Sequence, residues 1–240
     1  MRYEKTVAIV QARLAGTRLP GKVLMPIGTS SLLERVVERV LRMQRIDGLL
    51  VATTHAPHDD AIEHLCRSNG WACYRGADED VLERLYRAAQ SVQANHIVRI
   101  DGDQPFLDWR EADRLVDMHL HEGADLSHNL SARGSGLPDG AGCEIVRFEA
   151  LESAWREARD PAQRVHPCEF VFADPKRFRV LSRRAPPELA RPGYRLRVES
   201  PDDLERARRI HRVLGERACV ELSRAIALLD SDVLTRGVAM

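Results

Sequence analysis

Val7-Ala8-Ile9-Val10-Gln11-Ala12-Arg13-Leu14-Ala15-Gly16-Thr17-Arg18-Leu19-Pro20-Gly21-Lys22 carries an apolar run straight into a loop that holds three cations and two glycines. A short apolar run that stops at glycines reads as a buried strand ending in a turn. Glycines let backbone N–H groups approach a ligand closely, and Arg13, Arg18 and Lys22 supply positive charge, so the loop suits a polyphosphate. Gly16 to Gly21-Lys22 has the spacing of G-x-x-x-x-G-K, but two residues exclude a P-loop. Val23 stands where a P-loop carries the hydroxyl that holds magnesium, and Pro20 removes one backbone donor.

Further along, short apolar runs alternate with amphipathic stretches, the pattern of βαβ units around a parallel sheet. Residues 7–11 form the first strand, Ser30 caps a helix over 31–44, and Gly48 ends it before a buried strand over 49–54. A helix near 59–68 stops at Asn69-Gly70. Then come a short strand over 71–74, a helix over 78–93 with Asp78, Glu79 and Asp80 at its positive end, and a strand over 96–100. In such a fold ligands bind at the carboxyl ends of the strands. Residues 13–22, Thr53-Thr54, Arg75-Gly76 and Asp101-Gly102-Asp103 all fall there.

The second half is less regular. Strands are expected at 124–129, 143–146, 178–181 and 194–198, with a Gly- and Pro-rich loop over 130–142 and a Pro-rich arm over 185–192. Helices are expected at 148–158, from Pro161 through Arg164, His166 and Glu169 to Asp174, at 200–214 behind Ser200-Pro201, and at 219–229. His119 and His121 differ by two on a helix and point apart, which excludes a zinc pair.

With 240 residues, 44% of them apolar, the chain fits one domain over 1–240. Its 36 basic and 36 acidic residues cancel, so no overall field favours nucleic acid or an anionic membrane. Cys66, Cys73, Cys143, Cys168 and Cys219 are scattered, with no C-x-x-C pair, as expected of reduced thiols in a cytoplasmic protein. The first apolar run is too short for a signal peptide or a membrane span.

Asp101-Gly102-Asp103 at a strand end, opposite a cationic loop, is suited to hold Mg²⁺ against a nucleotide α-phosphate. Alone it would be an ordinary Asp-Gly turn. The same D-x-D pattern occurs in metal-dependent glycosyltransferases, which makes them a rival reading.

Q-A-R-x-x-x-T-R-L-P-G-K resembles the signature loop of the cytidylyltransferases related to spore-coat polysaccharide proteins and to the synthetases of CMP-activated 3-deoxy-ulosonic and nonulosonic acids. The likeness extends over about residues 6–215. It includes Arg75-Gly76, Glu79-Asp80-Val81-Leu82-Glu83-Arg84, the G-D-x-P-like segment at Asp103, and Pro201-Asp202-Asp203-Leu204. It implies a Rossmann-like, mostly parallel, doubly wound α/β sheet of the nucleotidyltransferase, glycosyltransferase-A-like type. A small dimerisation arm and an acceptor-side insertion at about 125–198 would belong to it, in a homodimer.

On this resemblance CTP lies against Gln11, Ala12, Arg13, Gly16, Thr17, Arg18 and Lys22, with Thr53, Asp80, Arg84, Asp101 and Gly102 around base and ribose. Arg13, Arg18, Lys22 and Asp103 are the catalytic candidates, and Asp103 and Glu199 the ligands of Mg²⁺. Glu144, Arg164 and His166 face a small anionic acceptor. An acceptor oxygen attacks the α-phosphorus in line and pyrophosphate departs, stabilised by Arg18 or Lys22.

The departures cluster on the acceptor side. The relatives' L-D-V-E is here Ala141-Gly142-Cys143-Glu144, their V-D-T-P is Val198-Glu199-Ser200-Pro201, and their R-E-H-V-T-P survives only as Arg164-Val165-His166-Pro167. Glu199 ligates magnesium only if its extra methylene is accommodated. The acceptor is then an acidic sugar or a smaller phosphonate or phosphorylated acid. Gly142 and Glu199 also leave open a nonenzymatic nucleotide-binding paralogue.

Overall fold

The computed structural model describes residues 4–16, 18–215 and 219–237. Its central sheet has the strands β1 (Thr6–Gln11), β4 (Gly48–Thr54), β5 (Ala72–Gly76), β6 (His96–Asp101), β7 (Leu126–His128), β8 (Glu144–Arg147) and β9 (Val180–Ser182), in the order β5-β4-β1-β6-β8-β7-β9. β5, β4, β1 and β6 are parallel, whereas β8 runs antiparallel to both β6 and β7, and β7 pairs parallel with β9. Segment 125–198 thus supplies three strands of the same sheet. β2 (Pro26–Ile27) and β3 (Ser30–Ser31) form a separate hairpin.

Both faces of the sheet are covered, as strand periodicity demands of an apolar run without alternation. Ala8 and Val10 of β1 pack under α1 (Leu32–Val40), α2 (Asp60–Asn69) and α4 (Trp109–Glu122). Val7 and Ile9 pack under α3 (Val81–Ser91), α5 (Phe148–Glu157) and the short α7 (Glu169–Ala173). A third cluster joins Ile27, Phe106 and Leu137 to α8 (Pro201–Leu214) and α9 (Leu222–Gly237). No helix among the described residues is long and apolar enough to cross a membrane.

Local chemistry moves several boundaries. The cap of α1 is Ser31, not Ser30, because Ser31 and Glu34 bond reciprocally, Ser31 N to Glu34 Oε2 at 2.6 Å and Glu34 N to Ser31 Oγ at 3.3 Å. α3 starts only after Asp80, whose carboxylate accepts from Glu83 N at 2.9 Å. Helix α4, behind its Asp108 cap, fills a stretch for which the sequence pattern gave no bounds. The helix expected from Pro161 to Asp174 is two, α6 (Pro161–Val165) and α7, since Pro167 disfavours a helical His166. The strand expected at 194–198 is absent. Asp139 accepts there from both Leu196 N (2.8 Å) and Arg197 N (3.1 Å), which leaves only a bridge to Arg195. The Pro-rich arm lies on its own chain: Leu189 is buried, and Arg191 and Tyr194 bond Asp230 of α9 at 2.8 and 2.6 Å.

Three histidines are held neutral inside. Burial, with His96 and Arg147 nearby, lowers His119 to about 3; burial and Arg133 lower His128 to about 4; burial with Arg35 and Arg39 lowers His211 to about 3. Between pH 6.5 and 4 the unfolded chain binds these protons and the folded chain does not, so stability falls as pH falls. We expect the urea-unfolding free energy to drop by ~1 kcal/mol per histidine between pH 6 and pH 5. An unfolding midpoint that stays flat across this window would contradict neutral burial.

Candidate active site

The loop after β1 is shaped by its glycines. Gly21, at φ 71, turns the chain in the left-handed region, and its N–H bonds Leu14 O at 2.9 Å. That turn delivers Lys22 into the cavity, where its Nζ donates to Asp103 Oδ2 at 2.7 Å and to Val198 O at 2.9 Å. Gly102 is a second necessity. Its N–H bonds Gln11 O at 2.8 Å, and a Cβ would lie 2.9 Å from that same oxygen. The ends of β1 and β6 therefore touch, and the phosphate-type loop faces the acidic segment.

Asp101 lies between Arg99 (2.8 Å) and Arg197 (2.9 Å), and Asp103 between Lys22 and Arg197 (3.0 Å). Burial opposes ionisation of both. For Asp101 the fields of Arg99, Arg197 and Lys22 prevail and bring its pKa down to about 2. Asp103 is raised: burial and the neighbouring Asp101 outweigh Arg197 and Lys22. Asp103 is thus the carboxylate with most to gain from an additional cation. Buried Arg39 donates to the carbonyls of Pro105 and Leu107, which pins the chain just beyond it.

A cavity of about 360 Å³ is lined by Gln11, Ala12, Arg13, Gly16, Arg18, Lys22, Arg84, Asp101, Gly102, Asp103, His166 and Glu199. A neighbouring cavity of about 500 Å³ holds Glu144, Arg133 and Glu169 and shares Arg99, Asp101, His166 and Arg197 with the first. Three expected residues stand off both walls. Thr53 is fully buried in β4. Asp80 caps α3 and binds Arg164, a pair that ties α6 to α3. Arg164 is spent on that contact and on Trp155 O at 2.9 Å. Thr17 lies outside the described residues.

Arg99 and Arg197 were not singled out from sequence. Arg99 is the one charge among Ile97, Val98 and Ile100 of β6, and its guanidinium bonds Gln11 Oε1 (3.0 Å), Asp101 and Glu144. That lone charge was the available signal. Arg197 alternates with Leu196 and Val198, which marks a polar face without revealing its partners.

Asp103 and Glu199 both line this cavity, and their carboxylates are hard oxygen donors of the kind magnesium accepts. Among the described residues no cluster of three or more His, Cys, Asp or Glu could hold a metal. Glu199 currently binds Arg18 and Arg195.

Gly142 has a physical cause: a Cβ there would lie 2.3 Å from Asn129 O, and Asn129 Oδ1 accepts from Cys143 N at 2.7 Å. The backbone of Asn129 fills the space that the aspartate of L-D-V-E would need. We expect Gly142→Asp to cost ~2 kcal/mol or more of stability, read as a lowered thermal midpoint. An unchanged midpoint would show that the site accepts the side chain.

The family model for cytidylyltransferases matches residues 7–225. The spore coat polysaccharide biosynthesis protein SpsF of Bacillus subtilis is 33% identical over 232 residues, 93% of each chain. The structure of a cytidylyltransferase from Leptospira borgpetersenii superposes with a TM-score of 0.88 at 26% identity, covering 96% of this chain and 95% of that one. The fold is also that of a CMP:2-keto-3-deoxy-manno-octonic acid synthetase complexed with CTP (TM-score 0.64, 16% identity, 88% of this chain and 99% of that one). A match that spans the whole sheet, together with a cationic loop facing Asp103 across its carboxyl edge, places the chain in the cytidylyltransferase family, as a nucleotidyltransferase.

Proposed function

We propose that the enzyme transfers CMP from CTP to a small acidic acceptor, an acidic sugar or a phosphonate or phosphorylated acid, and releases pyrophosphate. The observation that carries this reading is the Lys22–Asp103 contact, which sets a phosphate-binding loop against a carboxylate edge in one cavity. Arg13, Arg18 and Lys22 receive the triphosphate, and Lys22 or Arg18 stabilises the departing pyrophosphate. Asp103 and Glu199 would hold Mg²⁺, which when bound neutralises triphosphate charge. The acceptor enters the second cavity, which Arg133 and Glu144 line and where His166 stands at the junction with the first.

The acceptor oxygen forms its bond to the α-phosphorus as the bond to the bridging oxygen breaks, and pyrophosphate leaves with that electron pair. An acceptor that attacks as an anion needs no general base. The residues contribute positioning and electrostatics. The five free cysteines suit a reducing cytoplasm, and a homodimer is carried over from the family resemblance.

Pyrophosphate release assayed with each of the four nucleotides and a panel of acidic acceptors tests the reading. We expect release with CTP alone among the four, and Asp103→Asn to reduce it by about 10²-fold or more while the thermal midpoint shows a folded protein. Release of a nucleoside diphosphate from a nucleotide sugar would replace this reading with glycosyl transfer. CTP that binds without turnover under every pairing would leave a nonenzymatic binder.

A further inference from the structure

Gln11 ends β1 on the wall of the first cavity and is 8% exposed. Its side-chain oxygen accepts from Arg99 Nε at 3.0 Å, while its Nε2 has no partner. The orientation of the amide is not free. Arg99 has only donors, and its other two arms are held by Asp101 at 2.8 Å and by Glu144. Only an oxygen suits the remaining Nε–H, so two carboxylates acting through one guanidinium turn the Gln11 NH₂ away from Arg99 as an unspent donor. A buried donor without a partner is costly, and a ligand that accepts from it removes that cost.

A second residue on this wall tells the same way. Arg84 is 2% exposed and lines the cavity; it donates through one arm to Ala77 O (2.6 Å) and Asp78 O (3.3 Å), its Nε has no partner, and no carboxylate pairs with it among the described residues. Ala12 and Val81 add apolar surface beside these donors. The phosphate cations Arg18 and Lys22 of the same cavity, by contrast, have carboxylate partners, Glu199 and Asp103. Apolar contacts with donors and no acceptor in need of a partner suit the acceptor edge of a planar heterocycle.

We propose that the Gln11 amide reads position 3 of the pyrimidine and is the group that separates cytosine from uracil nucleotides. The inference rests on the cytidylyl-transfer reading and adds the residue that enforces the base. Cytosine presents a bare acceptor nitrogen at position 3, whereas uracil presents an N–H there. An amide locked as a donor therefore bonds the first and is opposed by the second, and a site built to pair a polar group rejects a base that leaves it unpaired. Gln11 is thus a specificity-determining residue, and Arg99 a positioning residue that acts through it.

Calorimetric titration of CTP and of UTP into the wild-type enzyme, Gln11→Met and Gln11→Glu tests this. The wild type should prefer CTP. Gln11→Met should weaken CTP by about tenfold with little change for UTP, so the ratio falls about tenfold. Gln11→Glu, which keeps an oxygen for Arg99 and puts a second where the donor was, should move the ratio further toward UTP. Equal losses for both nucleotides would reveal a merely structural role, and an unchanged ratio in both variants would overturn the proposal while leaving cytidylyl transfer intact. A wild-type enzyme that binds UTP as well as CTP would overturn it too. Failure of the wild type to bind CTP at all would sink the functional reading itself.

Discussion

The Lys22 ammonium joins three distant parts of the chain. It rises from the loop after β1, meets Asp103 beyond β6 at 2.7 Å, and bonds the carbonyl of Val198 from the last third of the sequence. All three lie at the carboxyl edge of the sheet, where the shared cation adds to the bonds of Gly102 N to Gln11 O (2.8 Å), Val198 N to Asp103 O (2.9 Å) and Arg197 to Asp103 (3.0 Å). The pair is mostly shielded, with 19% of the lysine side chain and 11% of the aspartate exposed, so its attraction is little screened.

Around that pair the charges balance before any substrate arrives. Lys22, Arg99 and Arg197 face Asp101, Asp103 and Glu144. The first cavity also holds Arg13 and Arg84, which pair with no carboxylate among the described residues, so its cations outnumber its carboxylates. Burial and Asp101 keep Asp103 short of stabilisation, whereas Asp101 is clamped between two guanidiniums. Two carboxylates two residues apart are thereby shifted in opposite directions, Asp101 down and Asp103 up.

The alternation of apolar runs revealed the parallel half of the sheet because those strands are buried on both faces and read as continuous hydrophobic segments. The register of Gln11 against Asp101 put the two motif loops side by side, as the strand-end argument required. Less could be read where short elements depend on tertiary contacts. The segment around Arg197 looks like a strand from its alternation and instead wraps the single residue Asp139. Asp80 and Arg164, 84 positions apart, gave no local sign of their pairing. Arg99 was visible as a charge in a buried strand, but its meaning lies in what it does to the Gln11 amide.

The departures from the relatives' motifs fall on the acceptor side and have different causes. Gly142 is required by the Asn129 backbone, so the missing aspartate reflects a local change of packing. Glu199 reaches out to Arg18 and Arg195. The most direct test of the account is a crystal structure with CTP and magnesium. We expect the triphosphate along Arg13 to Lys22, with Lys22 turned from Asp103 to phosphate oxygens and Asp103 on the ion. A nucleotide bound elsewhere, or Lys22 still bonded to Asp103 and Val198 with the triphosphate in place, would contradict it.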